Sequence, residues 1–271
     1  MKINRIYAVY FSPTGGTKAY VKAIAQGLGE NVQEIDLTRP KTREKEYEFM
    51  PEDLVIFGAP VYAGRLPAIE GGIFERLKGN GTPAVFNVSY GNREYEDALL
   101  EEQELCEKNG FHGIGAGAWI APHTYSAKIG EGRPDREDKE ALDSFVKQLK
   151  AVLEGEAWRD QALQVPGNHP YKPLKQMAFA PEGDESCIGC GACVQACPVE
   201  AIPREEPRKT DGDRCIVCLA CERCCPVHAR KIESPMYQAT VERLEGLLLA
   251  RRKQPETYVA EAAADKGGAG K

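Results

Sequence analysis

The chain has 271 residues, enough for two ordinary domains or one large one, and its 42% hydrophobic and 28% charged residues support a packed core. Lys and Arg number 35 against 41 Asp and Glu, a net charge of −6 that argues against a nucleic-acid partner, which needs a clustered basic face. No apolar run is long enough to span a bilayer, and MKINRIYAVYFSP lacks the apolar length and small-residue cleavage site of a signal peptide, so the expected location is the cytoplasm.

Residues 1–155 alternate strand-like and helix-like patterns. RIYAVYF (5–11), VQEIDL (32–37), DLVIFGAPV (53–61), TPAVFNVSY (82–90) and FHGIGAGAWI (111–120) are nearly continuous apolar runs, as in parallel strands buried on both faces. Helices are expected between them at TKAYVKAIAQGLG, AIEGGIFERLKG and REYEDALLEEQELCEKNG, with a last one at REDKEALDSFVKQLKAVLEG; each ends at or near a Gly. The slot at 39–52 is short, charged and holds two prolines, too little for a full helix. Five strands with helical crossovers predict a doubly wound α/β domain with a parallel sheet. Residues 156–182 carry Pro166, Pro170, Pro173 and Pro181 and read as an ordered or semi-rigid linker. A cysteine-rich domain follows over 183–235. The remainder, 236–271, reads as an amphipathic helix over 236–252 and a frayed tail ending AAADKGGAGK.

Nine of the ten cysteines lie between Cys187 and Cys225. Nothing suggests secretion, so cysteines this dense point to metal ligands rather than disulfides. CIGCGACVQACPVEA from Cys187 and CIVCLACERCCPVHA from Cys215 repeat at an offset of 28, each reading C-x2-C-x2-C-x3-C-P. Thiolates two residues apart wrap one corner of an iron–sulfur cube. Gly189, Gly191, Ala192 and Ala220 let the backbone approach it, and the Pro turns the chain so that the fourth Cys reaches a second cube. Zinc is the competing metal for such thiolates, but eight cysteines in this duplicated pattern fit it poorly. The segment resembles the bacterial two-[4Fe–4S] ferredoxin domain, a small α+β fold. The resemblance implies that Cys187, Cys190, Cys193 and Cys225 hold one cluster, and Cys215, Cys218, Cys221 and Cys197 the other. Cys224 aligns with Ala196, so it is expected to be a packed residue beside the ligand Cys225. Cys106 lies in a helical pattern and reads as a structural thiol.

FSPTGGTKAY begins where the first strand ends. Ser12, Thr14 and Thr17 offer hydroxyls, Gly15 and Gly16 a tight bare turn, and the helix N-terminus its N–H groups, together a phosphate site that needs no Lys or Arg. SPTGGT is neither a Walker A loop nor a G-x-G-x-x-G fingerprint. It resembles the FMN-phosphate loop of flavodoxins, and the resemblance extends over residues 1–155. It implies the strand order 2-1-3-4-5, with FMN in the crevice at the carboxyl ends of strands one, three and four. GAPVYAGRLP (58–67) and SYGNREY (89–95) stand at those ends, so Pro60, Val61, Tyr62, Gly64, Tyr90, Gly91, Asn92 and Tyr95 are candidates for the isoalloxazine walls and polar contacts. The departure at 39–52 leaves the stacking residue among the tyrosines open. His123 in APHTYS follows the fifth strand and either borders the crevice or packs; His228 after the second Cys-Pro has the same two readings.

The whole chain resembles the fused flavodoxin–ferredoxin proteins of anaerobic bacteria and archaea. That resemblance implies an electron carrier holding FMN and two [4Fe–4S] clusters and serving a redox protein partner. The alternative is an FMN-dependent reductase of a small substrate, with Tyr62, Tyr90 or His123 at the substrate. No acid–base pair or activated nucleophile is visible in the sequence, which favours the carrier.

Overall fold

The computed structural model describes residues 3–155, 157–174 and 177–260. The expected tail AAADKGGAGK lies outside them. Five parallel strands form the centre: β1 (Arg5–Tyr10), β2 (Val32–Asp36), β4 (Asp53–Pro60), β6 (Thr82–Tyr90) and β7 (Phe111–Ile120). They lie in the order β2-β1-β4-β6-β7, the doubly wound order that the flavodoxin resemblance implied. Every residue of β6 is buried, which is why the strand reads as an unbroken apolar run.

α1 (Gly16–Leu28) and α4 (Arg136–Gly155) cover one face, where Tyr20 stacks on Trp119 with ring centroids 5.1 Å apart and Phe145 and Leu149 fill the floor. α3 (Ala98–Lys108) covers the other face with Leu99 and Cys106; Cys106 is 1% exposed, a packed thiol as expected, and burial pushes its pKa up. Each fully buried large apolar side chain here contributes about 1.5–3 kcal/mol.

Two departures from the expected elements stand out. Residues 68–79 form no helix, because Gly71 and Gly72 both take a φ of +75°, the left-handed region that ends a helical run. The stretch turns instead and delivers Ile73, Phe74 and Leu77 to the core, then pairs β5 (Leu77–Lys78) with β3 (Tyr47–Glu48). The short slot before β3 holds a single helical turn, α2 (Pro40–Arg43).

The second departure is a sixth strand. After α7 (Pro235–Leu248) the chain returns to the sheet as β10 (Glu256–Val259), antiparallel to β7 on its open edge. Asn92 fixes the return: its amide donates to the carbonyls of Leu248 and Arg251, and its Oδ1 accepts the Lys253 N–H at 3.0 Å. Tyr95 seals it, bonding Glu256 at 2.7 Å and Tyr258 at 3.0 Å through its hydroxyl.

The Pro-rich stretch begins with a 3-10 turn (Ala157–Asp160) and then runs as a strap along α3. Asp97 anchors it by accepting from the Asn168 N–H and side-chain amide, both at 2.9 Å, and from the Lys172 N–H at 2.6 Å. Burial would raise the Asp97 carboxyl, but these donors and Arg65 hold it below its usual value.

The cysteine-rich lobe is held by β8 (Glu182–Gly183) paired with β9 (Arg230–Lys231) and by two short helices, α5 (Ala192–Ala196) and α6 (Ala220–Arg223). The duplication is visible in the backbone. Gly189 and Val217, Gly191 and Leu219, and Glu200 and His228 all have positive φ, each pair 28 residues apart. Val217 and Leu219 are L side chains in a region that disfavours them. Their burial against Phe179, Ile232, Tyr125 and Tyr237 offsets the strain and ties the lobe to the α/β domain.

A candidate site joining a flavin cleft to a cysteine lobe

The phosphate loop stands where β1 gives way to α1. Gly15 takes a φ of +88° at the N-cap and has no side chain to cap the helix, whose first N–H groups have no intrahelical partner. The loop is braced from below: Ser12 Oγ accepts the Lys18 N–H at 3.0 Å, the Ser12 N–H donates to Thr38 Oγ1 at 2.8 Å, and the Thr17 and Ser89 hydroxyls share a bond of 2.7 Å. Gly58 lets α1 sit this close to β4, since a Cβ there would lie 2.3 Å from Val21 Cγ2 and 2.9 Å from Thr17 Cγ2.

This loop opens into a cleft of about 900 Å³ at the carboxyl ends of β1, β4, β6 and β7. Of the sequence candidates, Ser12, Thr14, Gly16, Thr17, Pro60, Val61, Tyr62, Tyr90 and Gly91 line it. Gly15 shapes the turn without lining the cleft. Gly64, Asn92 and Tyr95 are placed elsewhere. Gly64 has a φ of +92° in the turn from Tyr62 to Arg65 and packs on Glu96, while Asn92 and Tyr95 hold the C-terminal return. A helix N-terminus beside a bare glycine turn fits a phosphate monoester, and the cleft above fits a planar ring system.

His123 does border the cleft. Its ring packs on Gly91, where a Cβ would fall 2.4 Å from its Cδ2. Nδ1 accepts the Tyr125 N–H at 3.0 Å, so the neutral ring carries its proton on Nε2. Burial, helped by Arg93, pushes its pKa down to about 4. Tyr62 is pushed well up by burial and by the neighbouring Cys218 and Tyr125. His228, by contrast, is an exposed residue of the cysteine lobe.

Cys197, Cys215, Cys218 and Cys221 line one small cavity together with Pro181, Ala201, Ile202 and Leu219. The set draws its fourth thiol from the first cysteine run, the crossing that the sequence comparison implied. Among the described residues no three His, Cys, Asp or Glu side chains come close enough to hold a single metal ion. Four thiols around an apolar cavity match the donor set of a cluster. Burial pushes the Cys215, Cys218 and Cys221 thiols up, so a ligated metal is what would hold them as thiolates.

Backbone N–H groups serve the two crossing cysteines alike: Ala201 donates to Cys197 Sγ at 3.2 Å and Ala229 to Cys225 Sγ at 3.3 Å. Cys224 does not donate to a cavity; its thiol bonds the Cys221 carbonyl at 3.5 Å and packs beside Cys193.

Three features escaped the sequence reading. Cys215 and Ile216 line both the cysteine cavity and the cleft, and Val217 lines the cleft beside them, so the two share a wall. Arg43 reaches from α2 into the cysteine lobe, donating to the Pro198 carbonyl at 2.8 Å and to the Leu37 carbonyl at 2.9 Å. Arg230 is 2% exposed and bonds the carbonyls of Pro181 and Pro207 and the Thr210 hydroxyl beside the cavity. Its counterpart across the duplication is Ile202, so alignment of the repeats gave no signal for a buried cation.

A flavodoxin domain family model matches residues 7–70, and a 4Fe-4S binding domain model matches residues 184–202. The chain fuses a flavodoxin domain to a 4Fe–4S ferredoxin domain. The ferredoxin part is similar to NADH-quinone oxidoreductase subunit I of Aeromonas salmonicida (strain A449), 34% identical over 62 residues. That match covers 21% of this chain and about a third, 34%, of the relative's length. Among solved structures, a flavodoxin from the domain Archaea aligns at 18% identity over 55% of this chain and 99% of its own, with a TM-score of 0.39. A Streptococcus pneumoniae TIGR4 flavodoxin aligns at 19% identity over 54% of this chain and 97% of its own, with a TM-score of 0.38. Rubredoxin oxygen:oxidoreductase from Desulfovibrio gigas aligns at 16% identity over 56% of this chain and 37% of its own, with a TM-score of 0.40. The two domain matches imply flavin and 4Fe–4S chemistry and support a role in electron transfer. No helix among the described residues is long and apolar enough to cross a membrane.

Proposed function

We propose that this flavodoxin–ferredoxin fusion is an electron-transfer protein of the cytoplasm that binds FMN in the cleft and two [4Fe–4S] clusters in the cysteine lobe. It would exchange electrons with a redox protein partner. One observation carries the reading: Cys215 and Ile216 line both the cysteine cavity and the cleft that holds the phosphate loop. When bound, FMN takes one or two electrons and each cluster takes one, so the pair supplies interconversion of one- and two-electron traffic. On this reading Ser12, Thr14, Gly15, Gly16 and Thr17 bind the phosphate. Pro60, Val61, Tyr62, Tyr90 and Gly91 orient the ring. Cys197, Cys215, Cys218 and Cys221 hold the cluster beside the cleft, and Cys187, Cys190, Cys193 and Cys225 hold the outer one. Val217, Leu219 and Phe179 exclude water from the shared wall.

The test is analysis of anaerobically purified protein for flavin, iron and acid-labile sulfide. One FMN and two four-iron clusters per chain are expected. A single cluster, or iron without flavin, would overturn the assignment. A second reading, an FMN-dependent oxidoreductase acting on a small substrate, draws on the extent of the cleft, which continues past the phosphate loop to His123 and a group of arginines. Anaerobic turnover assays with small-molecule acceptors separate the two.

A further inference from the structure

The cleft has an outer end that the flavin reading leaves unexplained. Its lining carries six cations, Arg65, Arg93, Lys172, Arg214, Arg223 and Arg243, and a single carboxylate, Asp213, in a chain whose net charge is −6. Three of the cations have structural partners: Arg65 pairs with Glu101 at 2.8 Å, and Arg93 and Lys172 both pair with Glu96. Arg214, Arg223 and Arg243 make no ion pair and no side-chain hydrogen bond among the described residues.

These three come from separate elements: the loop before Cys215, the end of α6 and the middle of α7. Turning them toward one concave space costs mutual repulsion and side-chain entropy unless an anion answers them. All three are exposed and line the same cleft as Tyr62 and His123, whose Nε2–H is a neutral donor.

We propose that the outer end of the cleft binds a small molecule bearing a carboxylate or phosphate group, held by Arg214, Arg223 and Arg243 against Tyr62 and His123. A small molecule rather than an acidic protein is the occupant, because the guanidinium groups line a cleft instead of a flat face. The inference rests on the flavin reading only in that FMN takes the part of the cleft beside the phosphate loop, which uses no basic side chain.

The test uses full-length, FMN-loaded protein, with flavin content measured first so that loss of the flavin reading is seen by itself. Calorimetric titration at low ionic strength with citrate, and separately with inorganic pyrophosphate, distinguishes a carboxylate from a phosphate ligand. The R214Q/R223Q/R243Q protein is compared with a K147Q/K150Q protein, changed at exposed positions of α4. At least one anion is expected to bind saturably to the wild type and to K147Q/K150Q, and about tenfold or more weakly to the arginine variant, since charge-assisted bonds are lost. FMN content should be unchanged in all three, and an anion-dependent shift of the flavin absorbance should vanish with the arginines. Absence of saturable binding in the wild type, equal binding by the arginine variant, or equal weakening in both variants would each overturn the proposal. Association only with an acidic protein would overturn it as well.

Discussion

At the scale of single residues, the repeat decides between neighbours that local inspection cannot separate. Cys224 and Cys225 are adjacent, yet Cys225 accepts the Ala229 N–H as Cys197 accepts that of Ala201, while Cys224 turns its thiol to a helix carbonyl. Cys224→Ala protein is therefore expected to retain the iron content of the wild type. Cys225→Ala should lose one cluster's worth, read as iron and acid-labile sulfide per chain; equal iron loss in both variants would contradict the assignment. His123 gives a pH signature. Its pKa falls to about 4 in the folded chain, by burial first and Arg93 second, against about 6.5 unfolded. Below pH 6.5 the unfolded chain binds the extra proton, so stability is complete above that value and declines as pH falls toward 4. The loss is on the order of 3 kcal/mol. His123→Gln should flatten the melting temperature between pH 6.5 and 4 relative to wild type, and an unchanged profile would refute the assignment. The two C-x2-C-x2-C-x3-C-P runs and SPTGGT stand out in the sequence because the spacing of such candidates is their chemistry. Asn92 and Tyr95 were misread because a polar or aromatic residue after a strand end looks the same whether it meets a ring or a returning chain.

At the scale of elements, the parallel strands were legible because burial on both faces leaves continuous apolar runs, and α4 because its apolar face repeats over five turns. The 68–79 stretch misled because its apolar spacing is helical while two consecutive glycines are not. β10 was invisible for another reason: ETYV is four residues of half-buried edge strand, too short for an alternation to show. Its contribution is nonetheless specific. It covers the edge of β7, and with it come the bonds of Lys253 to Asn92 and of Tyr258 and Glu256 to Tyr95. A chain ending after Arg252 would leave β7 as an open edge, a template for pairing with another copy. Losing two or three of these part-buried bonds together with the strand pairing costs a few kcal/mol, so the melting temperature should drop by about 5–10 °C. Size-exclusion chromatography should also show self-association. A truncated chain that melts with the full-length protein and stays at its size would show that β10 is not a structural edge cover.

At the scale of the whole molecule, two lobes are joined so that the cavity of Cys197 and the phosphate loop share a frame. A chain of contacts runs between them: the Ser12 N–H bonds Thr38 Oγ1, Arg43 bonds the Leu37 and Thr38 carbonyls, and the same guanidinium bonds Pro198, next to the crossing cysteine. Arg43 lies over the Phe11 ring, 5.7 Å from its centroid, and has no carboxylate partner among the described residues. Burial lowers its pKa, against the opposing pull of Glu44 and Glu200. Such a cation is held by carbonyl acceptors and one aromatic face, so its position depends on both lobes being in place. The shortened 39–52 region, a blank in the sequence pattern, thereby becomes the piece that registers one lobe on the other; no periodicity announces a residue whose partners are backbone oxygens about 155 positions away. Arg43→Ala should leave the flavodoxin core folded, since the guanidinium supports loops rather than the sheet. It should loosen the ferredoxin lobe and, through Thr38, the phosphate loop. Limited proteolysis is expected to cut the 156–182 strap faster, and FMN affinity to fall by about tenfold, the equivalent of one charge-assisted bond. Arg43→Lys should recover little of either, because an ammonium group does not present the planar fork that spans Leu37, Thr38 and Pro198 together. Wild-type cleavage rates with wild-type FMN affinity in Arg43→Ala would mean that the lobes are registered by the Val217–Phe179 wall alone.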